Sequence, residues 1–175
     1  TAPAERLRLA FIANPNSPSG TSLAPAAVGK LAAALPCPLL VDEAYADFAE
    51  TNCLSLVADN EKVMVSRTLS KSYGLVGLRF GFIVAQPQVI EQLNKVKDSY
   101  NCDALSIAGA TAAIDDRAWF ERTRGAILAT RNRLTSELRR LGFTCIDSQA
   151  NFVWCRHATA GSKDLYERLK VAGVL

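Results

Sequence analysis

Ser66-Arg67-Thr68-Leu69-Ser70-Lys71-Ser72-Tyr73-Gly74-Leu75-Val76-Gly77-Leu78-Arg79-Phe80-Gly81-Phe82 is the stretch from which the rest of the chain can be placed. Small hydroxyl residues crowd Lys71, glycines follow it, and an arginine comes soon after. A free lysine amine has a pKa of about 10.4 and is a weak nucleophile at neutral pH. Desolvation or a neighbouring cation lowers that value and frees the neutral amine to attack a carbonyl. Thr68, Ser70 and Ser72 offer hydroxyl donors to a phosphate, and Gly74 and Gly77 allow close backbone approach. Arg79 adds a planar cation that can grip phosphate through two parallel hydrogen bonds. A polar loop with a solvated lysine, ahead of a strand at residues 80–85, would have the same composition. The stretch alone leaves both readings open.

Upstream, Leu39-Leu40-Val41-Asp42-Glu43-Ala44-Tyr45 weighs toward chemistry. A short apolar run ending in two carboxylates reads as a buried parallel strand. Its C-terminal end delivers Asp42 into a crevice, where open α/β sheets bind ligands. An aspartate there could hold a protonated pyridine nitrogen, and Tyr45 could donate to a ring hydroxyl. A lysine together with an acidic partner for the ring nitrogen is what pyridoxal phosphate requires. The competing reading makes Asp42 a helix cap and Tyr45 the filling of a hinge.

With these residues in view, the chain resembles the pyridoxal-phosphate aminotransferases of fold type I. The resemblance is carried by Asn14-Pro15-Asn16-Ser17-Pro18-Ser19-Gly20, by Asp42-Glu43-Ala44-Tyr45, and by Ser70-Lys71 with Arg79. The wording Arg67-Thr68-Leu69-Ser70-Lys71, Gly77-Leu78-Arg79-Phe80-Gly81 and Lys97-Asp98-Ser99-Tyr100-Asn101 is most similar to the histidinol-phosphate aminotransferase family. The order and spacing of three independent motifs make chance agreement a poor explanation.

The resemblance implies an α/β fold with a mostly parallel sheet. Residues 1–102 would belong to the pyridoxal-phosphate-binding large domain, and residues 103–175 to an interdomain helix and part of a small α+β C-terminal domain. It implies that Lys71 holds the cofactor and moves the proton, that Asp42 keeps the ring nitrogen protonated, and that Tyr45 tunes the ring hydroxyl. Ala44 packs under the ring, while Thr68, Ser70 and Arg79 anchor the phosphate. In the family an asparagine before the Pro-Ser/Thr-Gly turn meets the ring hydroxyl. Ser17 stands at that position here, so both Ser17 and Asn16 are carried as candidates. Tyr100 would line the pocket for the substrate side chain, stacking on an imidazole; a tyrosine packing a helix junction is the plainer account. The expected reaction is transamination of histidinol phosphate with 2-oxoglutarate, a step of histidine biosynthesis. The family forms homodimers, and the resemblance implies one here.

The bulk properties agree with a small-molecule enzyme. The chain has 175 residues and 49% hydrophobic content, enough for a packed core. With 20 basic and 17 acidic residues it carries a net charge of +3 and has no basic run, so nucleic acid and membrane are not its expected partners. The five cysteines are scattered, in neither a disulfide framework nor a metal spacing, and read as reduced thiols in a cytoplasmic protein. The stretch reads as an excerpt: family members run longer on both sides, and segments outside it would complete the site.

Hydrophobic spacing predicts strands at 9–13, 39–41, 63–65 and 80–85, then two strands of the small domain at 143–146 and 151–155. Helices are expected at 25–35, 87–96, 104–114, 118–141 and 162–172, with a short helix or turn at 55–59. The arginines of the long helix, Arg122, Arg124, Arg131, Arg133, Arg139 and Arg140, read as its solvated face. His157 receives no role. Two other functions share much of this pattern: an aromatic-amino-acid aminotransferase or phosphothreonine decarboxylase of the same fold, and a truncated domain without catalysis.

Overall fold

β1 (Ala10–Ala13), β2 (Leu39–Asp42) and β3 (Val63–Thr68) lie side by side and parallel, and β4 (Gly81–Val84) closes the sheet antiparallel to β3. The structure is a computed structural model and describes residues 7–174. The expected mostly parallel α/β sheet is therefore present, and β4 is its one reversed strand.

The strands are short apolar runs whose alternate residues face one packed layer. Leu39, Val41, Val63 and Val65 point into a core completed by Val28 and Ala32 of α1 (Pro25–Ala34) and Val57 of α2 (Leu54–Asp59). These side chains are all but fully buried. On the other face Phe11 is 69% exposed.

Helix ends follow local chemistry. Pro25 opens α1, and Pro87 opens α3 (Pro87–Val96); proline's fixed φ suits a first helical turn whose N–H groups have no helical partner. Asp103 caps α4 (Ala104–Asp115) by accepting from the Ser106 amide, and Asp116 caps α5 (Arg117–Arg140) by accepting from Trp119. Gly142, at φ +87°, ends α5 in the left-handed region that suits glycine.

Beyond α5, β5 (Phe143–Cys145) pairs antiparallel with β6 (Cys155–His157), and α6 (Ser162–Val171) follows. This corrects the expected strand at 151–155. Residues 151–154 form an irregular segment whose Trp154 carbonyl accepts the Ile146 amide at 3.1 Å, and the strand itself begins at Cys155. The apolar run there serves a different contact, because Phe152 stacks edge-on against Tyr45 with ring centroids 5.1 Å apart. His157 lies in β6, packs against Phe143, and accepts the Ala160 amide at Nδ1 (3.0 Å).

The α5 arginines do not all form a solvated face. Arg124 Nε donates to the Asp47 carbonyl, and Arg131 Nη1 donates to the carbonyls of Ala150 (2.8 Å) and Phe48 (3.3 Å). Both turn inward to backbone carbonyls outside the strands, those of Asp47 and Phe48 in the short 3-10 turn after β2 and that of Ala150 ahead of β6. Arg122, Arg133, Arg139 and Arg140 are exposed as expected.

Candidate functional site

The C-terminal ends of β2 and β3 bring the candidate residues together. Asp42 is the last residue of β2, in register with Ser66 of β3. Strand alternation turns Asp42 out to the open side, while the next carboxylate, Glu43, is 1% exposed. Asp42 Oδ1 accepts from the Ala44 amide at 3.1 Å and from Ser66 Oγ at 3.4 Å. The rest of that carboxylate is open. Asp42 thus braces the turn behind it and presents an acceptor outward at once.

Lys71 follows β3 by a few residues and is exposed. Its Nζ lies 5.3 Å from the centre of the Tyr45 ring, within reach of a cation–π contact. Phe152 packs on that ring and holds it in place. Lys71, Tyr45, Ala44 and Asp42 therefore lie on two adjacent loops at one sheet edge, the position where α/β folds bind ligands.

A second group forms beside them. Thr68 Oγ1 accepts the Ser70 amide at 3.1 Å, which fixes the start of the lysine loop. Arg79 Nη1 donates to the Val76 carbonyl at 3.1 Å and approaches Ser70 Oγ at 3.4 Å. Arg79 is the one described non-glycine residue with positive φ, at +50°. Such a conformation costs a non-glycine residue about 1 kcal/mol and persists where surroundings dictate it. A cavity of about 420 Å³ opens there, lined by Arg79, Phe80, Asn101, Cys102 and Ser106.

The remaining candidates fall elsewhere. The Asn16 side chain donates to Ser19 Oγ at 2.7 Å and its backbone holds the turn, leaving its amide engaged locally. Ser17 is exposed and makes no hydrogen bond among the described residues. Tyr100 is 97% exposed, so it neither packs a helix junction nor meets the Lys71 group within this chain. A larger groove of about 550 Å³ between α5 and residues 151–153 contains none of the candidates. Phe152, which lines the groove, also packs on Tyr45.

Sequence reading passed over the side chains that tie the two loops together. Glu43, Asp47, Arg67 and Ser72 form a buried polar cluster under the site. The signal available in sequence was the second carboxylate of Asp42-Glu43, which an apolar strand end buries only with a partner. Burial also raises the thiol of Cys53, whose amide donates to Glu43 and whose sulfur accepts from Asn14. Among the described residues no three His, Cys, Asp or Glu side chains gather as metal ligands would. No described helix is long and apolar enough to cross a membrane.

The sequence matches the family of class I and II aminotransferases over residues 1–174. The chain belongs to the class I and II aminotransferases. A protein of Rhodopirellula baltica named histidinol-phosphate aminotransferase is 54% identical to this aminotransferase chain over 171 residues, covering 98% of it and 47% of the relative. A Nostoc protein named histidinol-phosphate aminotransferase 1 is 47% identical over 165 residues, covering 94% and 47%. Among solved structures, histidinol-phosphate aminotransferase from Sinorhizobium meliloti in complex with pyridoxal-5'-phosphate superposes with a TM-score of 0.88 at 27% identity, covering 96% of this chain and 48% of that one. This aminotransferase chain thus spans about half the length of the curated relatives it matches.

Proposed function

We propose that this aminotransferase chain carries the cofactor-binding centre of a pyridoxal-phosphate enzyme that transaminates histidinol phosphate with 2-oxoglutarate, giving imidazole acetol phosphate and glutamate. The observation that carries the reading is the convergence of Lys71, Asp42 and Tyr45 on one sheet edge, beside Arg79 and Ser70. The names of the relatives at 54% and 47% identity favour histidinol phosphate over the aromatic and decarboxylase alternatives.

The donor set suits the cofactor group by group. Lys71 offers an amine to an aldehyde, the open side of Asp42 an acceptor to a pyridinium N–H, and Tyr45 a phenol to a ring hydroxyl. Arg79 with Ser70 and Thr68 offers one cation and two hydroxyls to a phosphate, the pairing that phosphate recognition calls for. Bound there, pyridoxal phosphate supplies a ring that accepts the electrons of the substrate Cα–H bond.

This chain's residues provide the rest. Asp42 holds a proton at the ring nitrogen, because an adjacent carboxylate favours the charged pyridinium. Tyr45, braced by Phe152, keeps its hydroxyl directed and its ring against Lys71. The free Lys71 amine would serve as the base that takes the substrate Cα proton and, as the ammonium, as the acid that gives it back. Ala44 keeps the floor between Asp42 and Tyr45 free of bulk. Asn16 and Ser17 remain candidates for the ring hydroxyl and Tyr100 for the substrate side chain. The exposure of Tyr100 is consistent with a role completed by segments or subunits beyond this chain.

We also assign residues up to about 102 to a large domain and the remainder to a connecting helix and small domain, in a cytoplasmic homodimer. The test uses the full-length protein: pyridoxal phosphate trapped by borohydride, peptide mapping, and turnover of histidinol phosphate. Expected are a single adduct at Lys71 and, for Lys71→Ala, loss of the adduct with a fall in turnover of at least about a thousandfold. An adduct elsewhere, or turnover retained without Lys71, overturns the assignment. Size-exclusion chromatography with light scattering checks the dimer.

A further inference from the structure

Lys71 and its candidate partners sit on separate loops, and no described hydrogen bond runs directly from Lys71 to Asp42 or Tyr45. What joins the loops lies beneath them. Arg67, near the end of β3, spans the 43–47 turn: its Nε and Nη2 meet Glu43 Oε2 at 2.8 and 2.7 Å, and its Nη1 meets Asp47 Oδ1 at 2.9 Å. The other Asp47 oxygen accepts from Ser72 Oγ, and Ser72 is the residue after Lys71. Glu43 is satisfied on its second oxygen by the Cys53 amide.

The cluster is buried at Glu43 and Ser72 and opens toward Asp47, whose side chain is 20% exposed beside a cavity of about 140 Å³ that Asp47 and Arg67 line. The Glu43 side chain has no exposure, Ser72 is 2% exposed, and the Arg67 side chain is 13% exposed. One guanidinium therefore holds both ends of the short turn that carries Ala44 and Tyr45. Through Asp47 the same contact reaches the lysine loop. A planar fork can meet two carboxylates in fixed directions, which a lysine ammonium at the same place cannot. Where burial limits the access of water, such hydrogen bonds strengthen and polarise one another.

We infer that Arg67 is a positioning residue for this centre: acting through Asp47 and Ser72, it sets Lys71 against Asp42 and Tyr45. The inference rests on the proposed function, because the placement matters only if Lys71 is the reacting amine. A cluster serving the fold alone makes a different prediction. Weakening it would lower the melting temperature, and Lys71 in the molecules still folded would react as before. A positioning cluster changes the reactivity of Lys71 in folded protein, since small displacements of a reacting group cost large factors in rate.

The experiment measures the rate at which borohydride traps pyridoxal phosphate on Lys71 in the full-length protein, read by peptide mass spectrometry across pH, with melting temperature alongside. Two variants keep the fold accessible. Ser72→Ala removes one hydroxyl and leaves both ion pairs; Arg67→Lys keeps a cation beside Glu43 and loses the two-carboxylate fork. Each is expected to slow trapping at Lys71 by about tenfold or more in folded protein. The double variant is expected to be little slower than the slower single one, because both act through the Asp47 carboxylate. Unchanged trapping in the folded single variants overturns the inference and leaves the proposed function standing. Fully multiplicative effects overturn the shared route through Asp47. If the parent protein itself gives no adduct at Lys71, the proposed function falls and this inference with it.

Discussion

Side chains of a strand alternate between faces, so the adjacent carboxylates Asp42 and Glu43 leave the end of β2 in opposite directions. Asp42 emerges on the open side and Glu43 enters the packed one, where Arg67 neutralises it. A single-residue slip of β2 would exchange their surroundings. The division of labour between these two acids is therefore a property of the register. Asp42→Asn keeps the size and replaces the carboxylate with a neutral amide. We expect that variant to retain pyridoxal phosphate and to lose turnover by at least about a hundredfold; normal turnover would reduce Asp42 to a brace for the Ala44 amide. Cys53 gives a second prediction at this scale. Burial is the main cause that pushes its thiol above the ordinary value, so it stays protonated at neutral pH. We expect iodoacetamide to label Cys53 at least about tenfold more slowly in native than in unfolded protein. Equal rates would mean that the site opens readily.

Among the elements, α4 shows how one cap couples a helix to pH. Hydrogen bonds from the side chain and backbone of Ser106 hold the Asp103 carboxyl below its usual value. A depressed folded value means that the cap contributes fully above the ordinary carboxylate pKa, about 3.9, and is lost as pH falls through the lower folded one. Asp103→Ala is accordingly expected to lower the melting temperature by a few degrees at pH 7. The difference should shrink as pH falls below the ordinary carboxylate value and vanish in acid strong enough to protonate the folded cap. A difference that persists unchanged in acid would assign the loss to packing instead. The turn at 14–20 shows the other way an element can be specified. Gly20 has φ +76°, and a Cβ there would stand 2.5 Å from Ser148 Oγ. Both the backbone conformation and the close approach of the 148 segment require glycine.

Across the whole molecule, α5 meets the segments around the sheet through buried Phe120, stacked on Tyr73 with ring centroids 4.8 Å apart, and through polar contacts with loops. Arg131 donates to the carbonyls of Phe48 and Ala150, and Arg124 donates to that of Asp47. Burial is the chief cause that lowers the pKa of Arg131 from its usual value, and the nearby Glu50 opposes the shift. Arg131→Ala leaves two carbonyls without this donor. It is expected to destabilise the protein by about 2 kcal/mol in urea unfolding. A change within about 0.5 kcal/mol would mean that water replaces the guanidinium at no cost. Arg124 shares its acceptor residue with the Arg67 cluster, so the long helix meets the same Asp47 on which the lysine loop rests.

The local chemistry of the chain was enough to mark the strands that form the sheet, the proline-opened helices, and the residues that meet at the sheet edge. Short apolar runs, N-terminal prolines and the lysine–hydroxyl–glycine loop each follow from interactions within a few residues, which a sequence displays directly. Sequence alone located neither β6 nor the inward turn of Arg124 and Arg131. Phe152 packs on Tyr45, more than a hundred positions away, and apolar spacing does not say what a side chain will be buried against. The same holds for Tyr100, whose 97% exposure is set by what does or does not pack over it. The cluster of Glu43, Asp47, Arg67 and Ser72 was beyond reach for the same reason: a buried charge is tolerable only with its partner, and folding alone chooses the partner.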